Sequence, residues 1–244
     1  MKEINSPQNE QFKYWKSLTK SKGLKEGHHF LLSGSKLVEE TLLDHDWSSK
    51  VEVILKTKKQ TLPPIKTKAE VVELAIPLFD EIDILGTHSP ILVLQQPQWP
   101  QWKDSVAPQG LELLCPFGDP QNLGALLRTA YGFGASKVVL LKESAHPLLP
   151  KSMKASSGAI LKMAIEWGPS IHEIGPSAIA LDLAGTPISS KKWPTNIRLL
   201  LGEEGPGVPA SFSGERITLP MKNPLESLNA ALAAGIAIYE FTQR

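Results

Sequence analysis

The apolar positions of the chain follow two patterns that alternate along its length, short continuous runs and residues at helical spacing. In the N-terminal part, the apolar runs that predict buried strands lie at 30–32, 51–55 and 91–94. The helically spaced positions that predict helices cover 9–21, 35–43 and 70–80. Because strands that alternate with helices are typical of an α/β fold, we predict a small N-terminal α/β domain over residues 1–95.

The same alternation continues over residues 111–244. Apolar runs predict strands at 111–115, 137–141, 178–183, 197–201 and 216–221. Helical spacing predicts helices over 120–133 and 227–242, and the small residues of 152–159 suit a loop or a tightly packed helix. The first strand, helix and strand form a β-α-β unit, and in parallel sheets the loop after a strand is where ligands bind.

The stretch between these parts, residues 96–110, differs in composition. It is rich in Gln and Pro, which predicts a linker stiffened by proline. Its two tryptophans, Trp99 and Trp102, could stack on RNA or dock on a neighbouring protein surface. We favour docking, because aromatic residues near a domain junction usually pack.

Capping residues mark the starts of two helices. Asp119 can cap the helix that begins at Pro120, and Ser227 can cap the last helix. Asn122, in the first turn of the helix after Asp119, and Arg128, in its middle, interrupt its apolar pattern. Both polar side chains could border one cleft.

Composition and charge change this picture little. The formal net charge of the 244 residues is +1, which gives no overall signal for nucleic acid. Residues 1–70, however, hold 13 Lys and no Arg against 9 acids. This local surplus is compatible with a phosphate backbone and equally with an ordinary solvated surface.

Several classes of site receive no support from the sequence. Cys115 is the single cysteine, so an intrachain disulfide and a cysteine metal cluster are excluded, and we predict no metal. The first residues lack the apolar core of a signal peptide. Because no run of eighteen apolar residues exists, we expect no membrane-spanning helix and a cytoplasmic protein.

A glycine-rich loop at 202–207 follows the apolar run at 197–201. It lacks the Gly-Lys-Ser/Thr of a P-loop, and its acids Glu203 and Glu204 would repel a pyrophosphate. Two carboxylates at the end of a strand suit a ligand with a positive charge or hydroxyl groups. Taken alone, this loop is a weak signal, and a tight turn is the alternative interpretation. For Asn229 taken alone, local hydrogen bonding in the first turn of the last helix is the favoured interpretation.

Three stretches together are more specific than any one of them. "DPQNLGALLRTA", "LLLGEEGPGVP" and "ITLPMKNPLESLNAALAAGIAIYE" resemble, in order and spacing, motifs one to three of the SPOUT RNA methyltransferases of the TrmH/SpoU branch. The resemblance covers residues 111–244. The stretches "INSPQNEQFKYWKSL" and "FLLSGSKLVEETL" also resemble the family's N-terminal substrate-binding domain, with Ser33 where an acid usually stands.

The resemblance implies a methyltransferase domain with a trefoil knot, a homodimer, S-adenosylmethionine as donor and a ribose 2′-hydroxyl of RNA as acceptor. Carried over by position, the residues implied for donor binding are Leu201, Gly202, Glu203, Leu219, Met221 and Leu228. Those implied for catalysis are Asn122, Arg128, Glu204, Ser227 and Asn229. The family assigns the position of Arg128 a base role, although a protonated arginine would more simply hold a phosphate and stabilise the developing alkoxide.

Ribosomal RNA is the substrate that the resemblance favours, because the N-terminal domain is long. A tRNA 2′-O-methyltransferase of the same branch and an RNA-binding relative that has lost catalysis are the alternatives. A nucleotide-cofactor oxidoreductase is a third, but the chain has no GxGxxG motif and no ribose-binding acid after its first strand.

Overall fold

The computed structural model describes residues 2–62, 64, 67–223 and 227–243. By its internal contacts the chain divides into two compact units. Unit 1 comprises residues 1–97 and 146–154, and unit 2 comprises residues 98–145 and 155–244. The predicted assignment of a substrate-binding domain, a linker and a methyltransferase domain to 1–95, 96–110 and 111–244 stays a prediction.

Unit 1 contains a five-stranded sheet in the order β1-β4-β3-β5-β2, flanked by helices. Its strands are β1 (Lys2–Ile4), β2 (His29–Leu32), β3 (Val51–Lys56), β4 (Glu70–Leu74) and β5 (Ile91–Gln95). Its helices are α1 (Glu10–Ser17), α2 (Ser21–Glu26), α3 (Ser35–Leu43), α4 (His45–Ser48) and α5 (Ile76–Ile82). The predicted apolar face of the first helix is confirmed, because Phe12, Trp15 and Leu18 are buried.

The prediction of a helix over 70–80 is wrong for its first half. Residues Glu70–Leu74 form β4, which lies between β1 and β3 and pairs in parallel with both. Glu and Leu favour a helix locally, but two flanking strands satisfy the backbone of this segment from both sides, and tertiary context overrides weak propensity. The helix α5 starts only at Ile76.

Unit 2 contains a six-stranded sheet in the order β11-β9-β10-β6-β7-β8, in which every pair is parallel. Its strands are β6 (Leu111–Cys115), β7 (Lys137–Leu140), β8 (Ile165–Trp167), β9 (Ile179–Pro187), β10 (Ile197–Leu200) and β11 (Glu215–Thr218). The helices α6 (Pro120–Gly132), α7 (Pro150–Ser156) and α8 (Ala230–Thr242) complete the set, and the start of α7 belongs to unit 1. The predicted β-α-β unit is confirmed as β6, α6 and β7.

The segment 98–106 is packed on unit 2 and is not a free connection. The Trp102 backbone N–H donates to the Trp167 carbonyl at 2.8 Å, and the Trp99 and Trp167 rings meet edge to face at 5.5 Å. The Arg198 guanidinium also lies over the Trp102 ring, 4.8 Å from the centre of the ring. The predicted docking of Trp99 and Trp102 is therefore confirmed. The stretch that contains them is held against the sheet of unit 2.

The last helix, α8, has two different faces. Its small residues Ala231, Ala234 and Ala237 are buried, and α8 packs on α6. Close approach of the helices is possible because their facing side chains are small: a side chain built on Gly235 would reach Thr129 of α6 at 3.6 Å. Larger apolar side chains occupy the opposite, exposed face of α8.

Candidate active site

A cavity of about 600 Å³ lies at the carboxyl ends of the central strands of unit 2. Parallel sheets place ligands at this edge, because the loops that follow the strands converge there. The residues that line it are Phe117, Asp119, Asn122, Leu181, Asp182, Leu183, Leu201, Gly202, Glu203, Glu204, Gly205, Pro206, Gly207, Val208, Thr218, Leu219, Met221, Ser227, Leu228, Asn229, Ala230 and Ala233. All the site residues implied by resemblance are among them except Arg128.

The glycine-rich loop forms one side of this cavity as a closed hairpin. Glu203 and Gly207 exchange two backbone hydrogen bonds of 3.0 Å each. At the base of the loop the chain passes close to itself, and a side chain on Gly202 would come within 2.9 Å of the Gly207 backbone. Glycine is thus required at 202 by packing, and the loop presents its backbone groups at fixed positions.

Hydrogen bonds join one residue from each of the three motifs. The Asn122 amide Nδ2 donates to Glu204 Oε1, and Asn229 Nδ2 donates to Asn122 Oδ1 at 3.0 Å. The second carboxylate oxygen, Glu204 Oε2, accepts from the Asp119 backbone N–H at 2.7 Å. This chain of three side chains fixes the relative positions of α6, the glycine-rich loop and α8 at the rim of the cavity.

Asn229 also starts the last helix. Its Oδ1 accepts from the backbone N–H groups of Ala231 at 3.0 Å and of Leu232 at 3.1 Å. The prediction that Ser227 caps this helix is wrong, because the capping residue is Asn229 and the helix begins at Ala230. Ser227 lines the cavity instead. The predicted cap Asp119 is confirmed, since its carboxylate accepts from the Gln121 and Asn122 backbone N–H groups.

The charges of the cavity have one sign. Among the residues that the structure describes, its charged lining residues are Asp119, Asp182, Glu203 and Glu204, and none of the lining residues is Lys, Arg or His. Asp119, Asp182 and Glu204 have partners in the protein, whereas the Glu203 side chain makes neither a hydrogen bond nor an ion pair within the described part of the chain. An anionic ligand is disfavoured here, and a cationic or hydroxyl-bearing ligand is favoured.

Arg128 does not line the cavity. It is an exposed residue in the middle of α6, on the helix that begins beside the cavity, and it makes no hydrogen bond or ion pair with the other residues that the structure describes. Among those residues Arg128 is therefore not held in an ion pair of its own helix. Its guanidinium is free to meet a group from outside the unit.

Cys115, at the end of β6, is no candidate for a nucleophile. Its side chain is fully buried, and burial raises the pKa of the thiol to about 12. At neutral pH the thiol is therefore protonated, and the thiolate is the reactive form.

Sequence reasoning missed the part of the cavity wall that comes from β9. Leu181, Asp182 and Leu183 line the cavity, but they lie in an apolar run that predicts only a strand. The single signal was Asp182, a carboxylate near the end of an otherwise apolar strand.

Two further classes of site are without support in the structure. Within 2–62, 64, 67–223 and 227–243, no three His, Cys, Asp or Glu side chains are grouped as metal ligands would be. No helix in that part of the chain has the length and apolar character needed to cross a membrane.

Comparison with known proteins gives a family. The model of the SpoU rRNA methylase family matches residues 113–239. Over 248 aligned residues the chain is 35% identical to "Ribosomal RNA small subunit methyltransferase G 2" of Syntrophobacter fumaroxidans, covering 99% of this chain and 49% of that protein. It is 26% identical to "23S rRNA (guanosine(2553)-2'-O)-methyltransferase RlmP" of Bacillus subtilis, covering 98% of each chain.

The chain thus spans about half the length of the Syntrophobacter protein. Among solved structures, an AdoMet-bound rRNA methyltransferase from Sinorhizobium meliloti superposes with a TM-score of 0.78 at 23% identity, over 99% of this chain and 97% of that one. At this identity the likeness establishes the fold, a mixed α/β fold of the SPOUT type. The family match covers all three motifs and the cavity they enclose, and the chain belongs to the SpoU rRNA methylase family.

Proposed function

We propose that this protein is an S-adenosylmethionine-dependent RNA methyltransferase that methylates a ribose 2′-hydroxyl, with ribosomal RNA as its substrate. The observation that carries the proposal is the hydrogen-bonded chain Glu204–Asn122–Asn229 at the rim of an acid-lined cavity. It brings three separate motifs to one edge of the sheet, where a donor and an acceptor would meet.

The cavity fits the donor by its chemistry. S-adenosylmethionine carries a sulfonium, an ammonium and ribose hydroxyl groups, which suit a lining with four acids and no base. In this proposal Leu201, Gly202, Leu219, Met221 and Leu228 hold the donor, with Glu203 as the unpaired carboxylate beside it. When bound, the donor supplies the electrophilic methyl group. The Sinorhizobium structure, of the same fold, is named as AdoMet-bound.

The protein contributes to the reaction by aligning the reacting groups and by stabilising the charge that develops on them. Holding a hydroxyl in line with a methyl group can lower the barrier by roughly 7–11 kcal/mol. Asn122, fixed from both sides by Glu204 and Asn229, shapes the position next to the donor, and Ser227 lines it. Arg128 either takes the proton of the ribose hydroxyl or, as a protonated group, holds the phosphate and stabilises the developing alkoxide.

The choice of ribosomal RNA rests on the relatives' names and on unit 1. Both relatives are named for ribosomal RNA, and the Bacillus protein, which the chain matches over its full length, is named as a 2′-O-methyltransferase. The Lys surplus of residues 1–70 would favour RNA binding by unit 1. A cytoplasmic location remains the expectation for such a substrate.

We further propose a trefoil knot in unit 2 and a homodimer. An apolar patch on α6 and α8 supports the dimer: Tyr131, Phe133, Leu232, Ile236 and Tyr239 are each 44–65% exposed. Patches of this kind often mark protein interfaces, and two-fold dimers are the commonest assemblies. Such an interface would place Arg128 near the site of a second chain.

The function is tested by mapping methylated riboses. Total RNA from a strain lacking the gene and from its parent is compared by primer extension at limiting nucleotide, which stops at 2′-O-methyl groups. We expect one stop in ribosomal RNA to disappear and to return with the wild-type gene but not with an Arg128→Ala gene. A lost stop in tRNA instead would change the substrate, and unchanged maps of both RNAs, together with no donor binding in calorimetry, would refute the proposal.

A further inference from the structure

The lysines of unit 1 divide into those paired with a carboxylate and those without a partner. Among the described residues, the paired ones are Lys13 with Glu10, Lys16 with Glu81, Lys22 with Glu26, Lys36 with Glu40, Lys56 with Glu73, and Lys58 with Glu3 and Glu73. A carboxylate beside an ammonium group cancels much of the attraction of that group for a phosphate. The lysines without a partner therefore provide most of the attraction that this unit has for a nucleic acid.

Two lysines of unit 1 come from outside the first hundred residues. The segment 146–154 follows β7 in the sequence, but by its internal contacts it belongs to unit 1. Leu148, Ser152 and Met153 are buried and anchor the segment, whereas Lys151 and Lys154 are exposed. The segment contains no acid. It thus adds two positive charges to unit 1 that the predicted N-terminal domain, 1–95, does not contain.

The segment 146–154 lies beside the lysine-bearing helix α2. His146 is buried, and burial, together with the charge of Lys25 on α2, lowers the pKa of its imidazole to about 4. Because a charge shifts a pKa in this way only when it is near, the end of α2 and the start of the segment are neighbours. At neutral pH His146 is uncharged, so the positive charge of this region comes from lysines.

Hydrogen bonds hold the backbone on both sides of this region. Gln96 Nε2 donates to the carbonyls of Leu24 at 2.8 Å and His29 at 2.9 Å, which fixes the chain at the end of α2. Ser152 Oγ donates to the His146 carbonyl at 3.4 Å, which links α7 to the residues before it. The lysine side chains therefore start from ordered backbone and are themselves exposed.

We propose that Lys20, Lys25, Lys151 and Lys154, the α2–α7 lysine surface, contact the phosphate backbone of the RNA substrate. The inference rests on the proposed function, which makes RNA the substrate. All four side chains are exposed and make neither a hydrogen bond nor an ion pair within the described part of the chain. Lysines that neutralise phosphates release counterions, which adds affinity without reading the base sequence.

RNA fits this surface better than a membrane does. Within 20–29 and 146–154 every exposed residue is polar, and the one acid is Glu26. Peripheral membrane binding generally combines positive charge with apolar side chains that insert among the lipids. The surface has the charge and lacks exposed apolar side chains.

The test compares two double variants that remove the same charge from unit 1. Lys151→Gln with Lys154→Gln removes two lysines of the surface, whereas Lys13→Gln with Lys36→Gln, the control, removes two lysines that are paired with acids. Fluorescence anisotropy measures binding of a labelled RNA hairpin over a series of salt concentrations. We expect the first variant to bind at least tenfold more weakly, with a salt dependence of log K that is smaller by about 1.5. The control should stay within twofold of wild type.

Lys25→Gln tests the other segment, and we expect it to weaken the hairpin about threefold. S-adenosylmethionine should bind all variants as it binds wild type. If wild type binds no S-adenosylmethionine in calorimetry, the proposed function fails, whatever the lysines do. If wild type binds S-adenosylmethionine and the Lys151 and Lys154 double variant binds the hairpin as well as the control does, the surface alone is refuted. Loss of binding to phosphatidylglycerol vesicles with RNA binding intact would overturn the choice of RNA as partner.

Discussion

The two ends of the unit 2 sheet differ in how they treat charged side chains, although the same strands run between them. At the amino ends of β6 and β10, Glu112 and Arg198 are both buried and pair at 3.3 Å. Arg198 also pairs with Asp104 at 2.6 Å and donates to the Val106 carbonyl, while Lys137 joins Glu112 to Glu166. Each of these charged side chains has at least one partner of opposite charge.

At the carboxyl ends of the same strands, about 10 Å away at 3.3 Å per residue, the arrangement is open. At this end Glu203 lines the cavity and has no side-chain partner within the described part of the chain. Arg128, in the middle of α6 and outside the cavity lining, has no partner in that part of the chain either. A charged side chain with partners holds its segment in place, whereas an unpaired charged side chain at a cavity is available to a ligand. We propose that this difference separates structural from functional residues of the same chemical type.

The sharpest test of this difference is a substitution of Arg128, which has no partner among the residues that the structure describes. We expect Arg128→Ala to lower the single-turnover methylation rate at least about 100-fold, the loss typical of one transition-state contact. Donor affinity should stay within a few-fold, because Arg128 does not line the cavity. Gln121→Ala, an exposed residue of the same helix, is the control and should retain full rate. If Arg128→Ala is as active as wild type, Arg128 is an ordinary surface residue.

Substitution of Arg198, the paired arginine, should lower the stability of the protein and leave its activity unchanged. Arg198→Ala leaves the Glu112 carboxylate buried with fewer partners, and removal of one member of a buried pair costs about 3–5 kcal/mol of unfolding free energy. Urea denaturation measures this loss, and activity per folded molecule should not change. Lys142→Ala, from the exposed Lys142–Glu173 pair, is the control and should leave the stability nearly unchanged. A stable but inactive Arg198→Ala would contradict the comparison.

The exposed apolar patch on α6 and α8 allows the same comparison for apolar side chains. Ile236, in the middle of the exposed face of α8, is 44% exposed. We expect Ile236→Arg to weaken self-association at least tenfold in sedimentation and to lower activity in parallel. Glu240→Arg, at an exposed position of the same helix, should leave both unchanged. A fully active monomeric wild type at assay concentration would exclude a site shared between chains.

Glu203 should give the smallest effect of the series. We expect Glu203→Gln, which keeps the shape of the side chain, to weaken donor binding about threefold to tenfold in calorimetry. The expected reason is the lost attraction for a cationic ligand in a partly open site, so added salt should narrow the difference from wild type. A donor affinity equal to that of wild type would mean that this carboxylate faces no charge of the ligand.

The sequence predicted what depends on local pattern and missed what depends on distant pairing. The Asp119 cap and the helix after it were predictable, because cap, proline and apolar spacing lie within a few residues. The strand Glu70–Leu74 was not, because it exists through pairing with β1 and β3.

Side-chain partners were likewise beyond local pattern. Ala234 lies on the small-residue side of the last helix and is fully buried. A substitution there would test folding and not assembly. Asp182 reaches the cavity only through a register shift and an arginine thirty-four residues away. No spacing rule along the chain encodes either fact.

The double role of Asn229 has a consequence for the order of events during protein synthesis. One side-chain amide both starts α8 and donates to Asn122, so the helix and the site form together. A growing chain on the ribosome that has not yet released residues 229–242 lacks this bond, however well the earlier strands have folded. We therefore expect stalled chains of that length to bind no S-adenosylmethionine, so the proposed donor would bind only after α8 has formed.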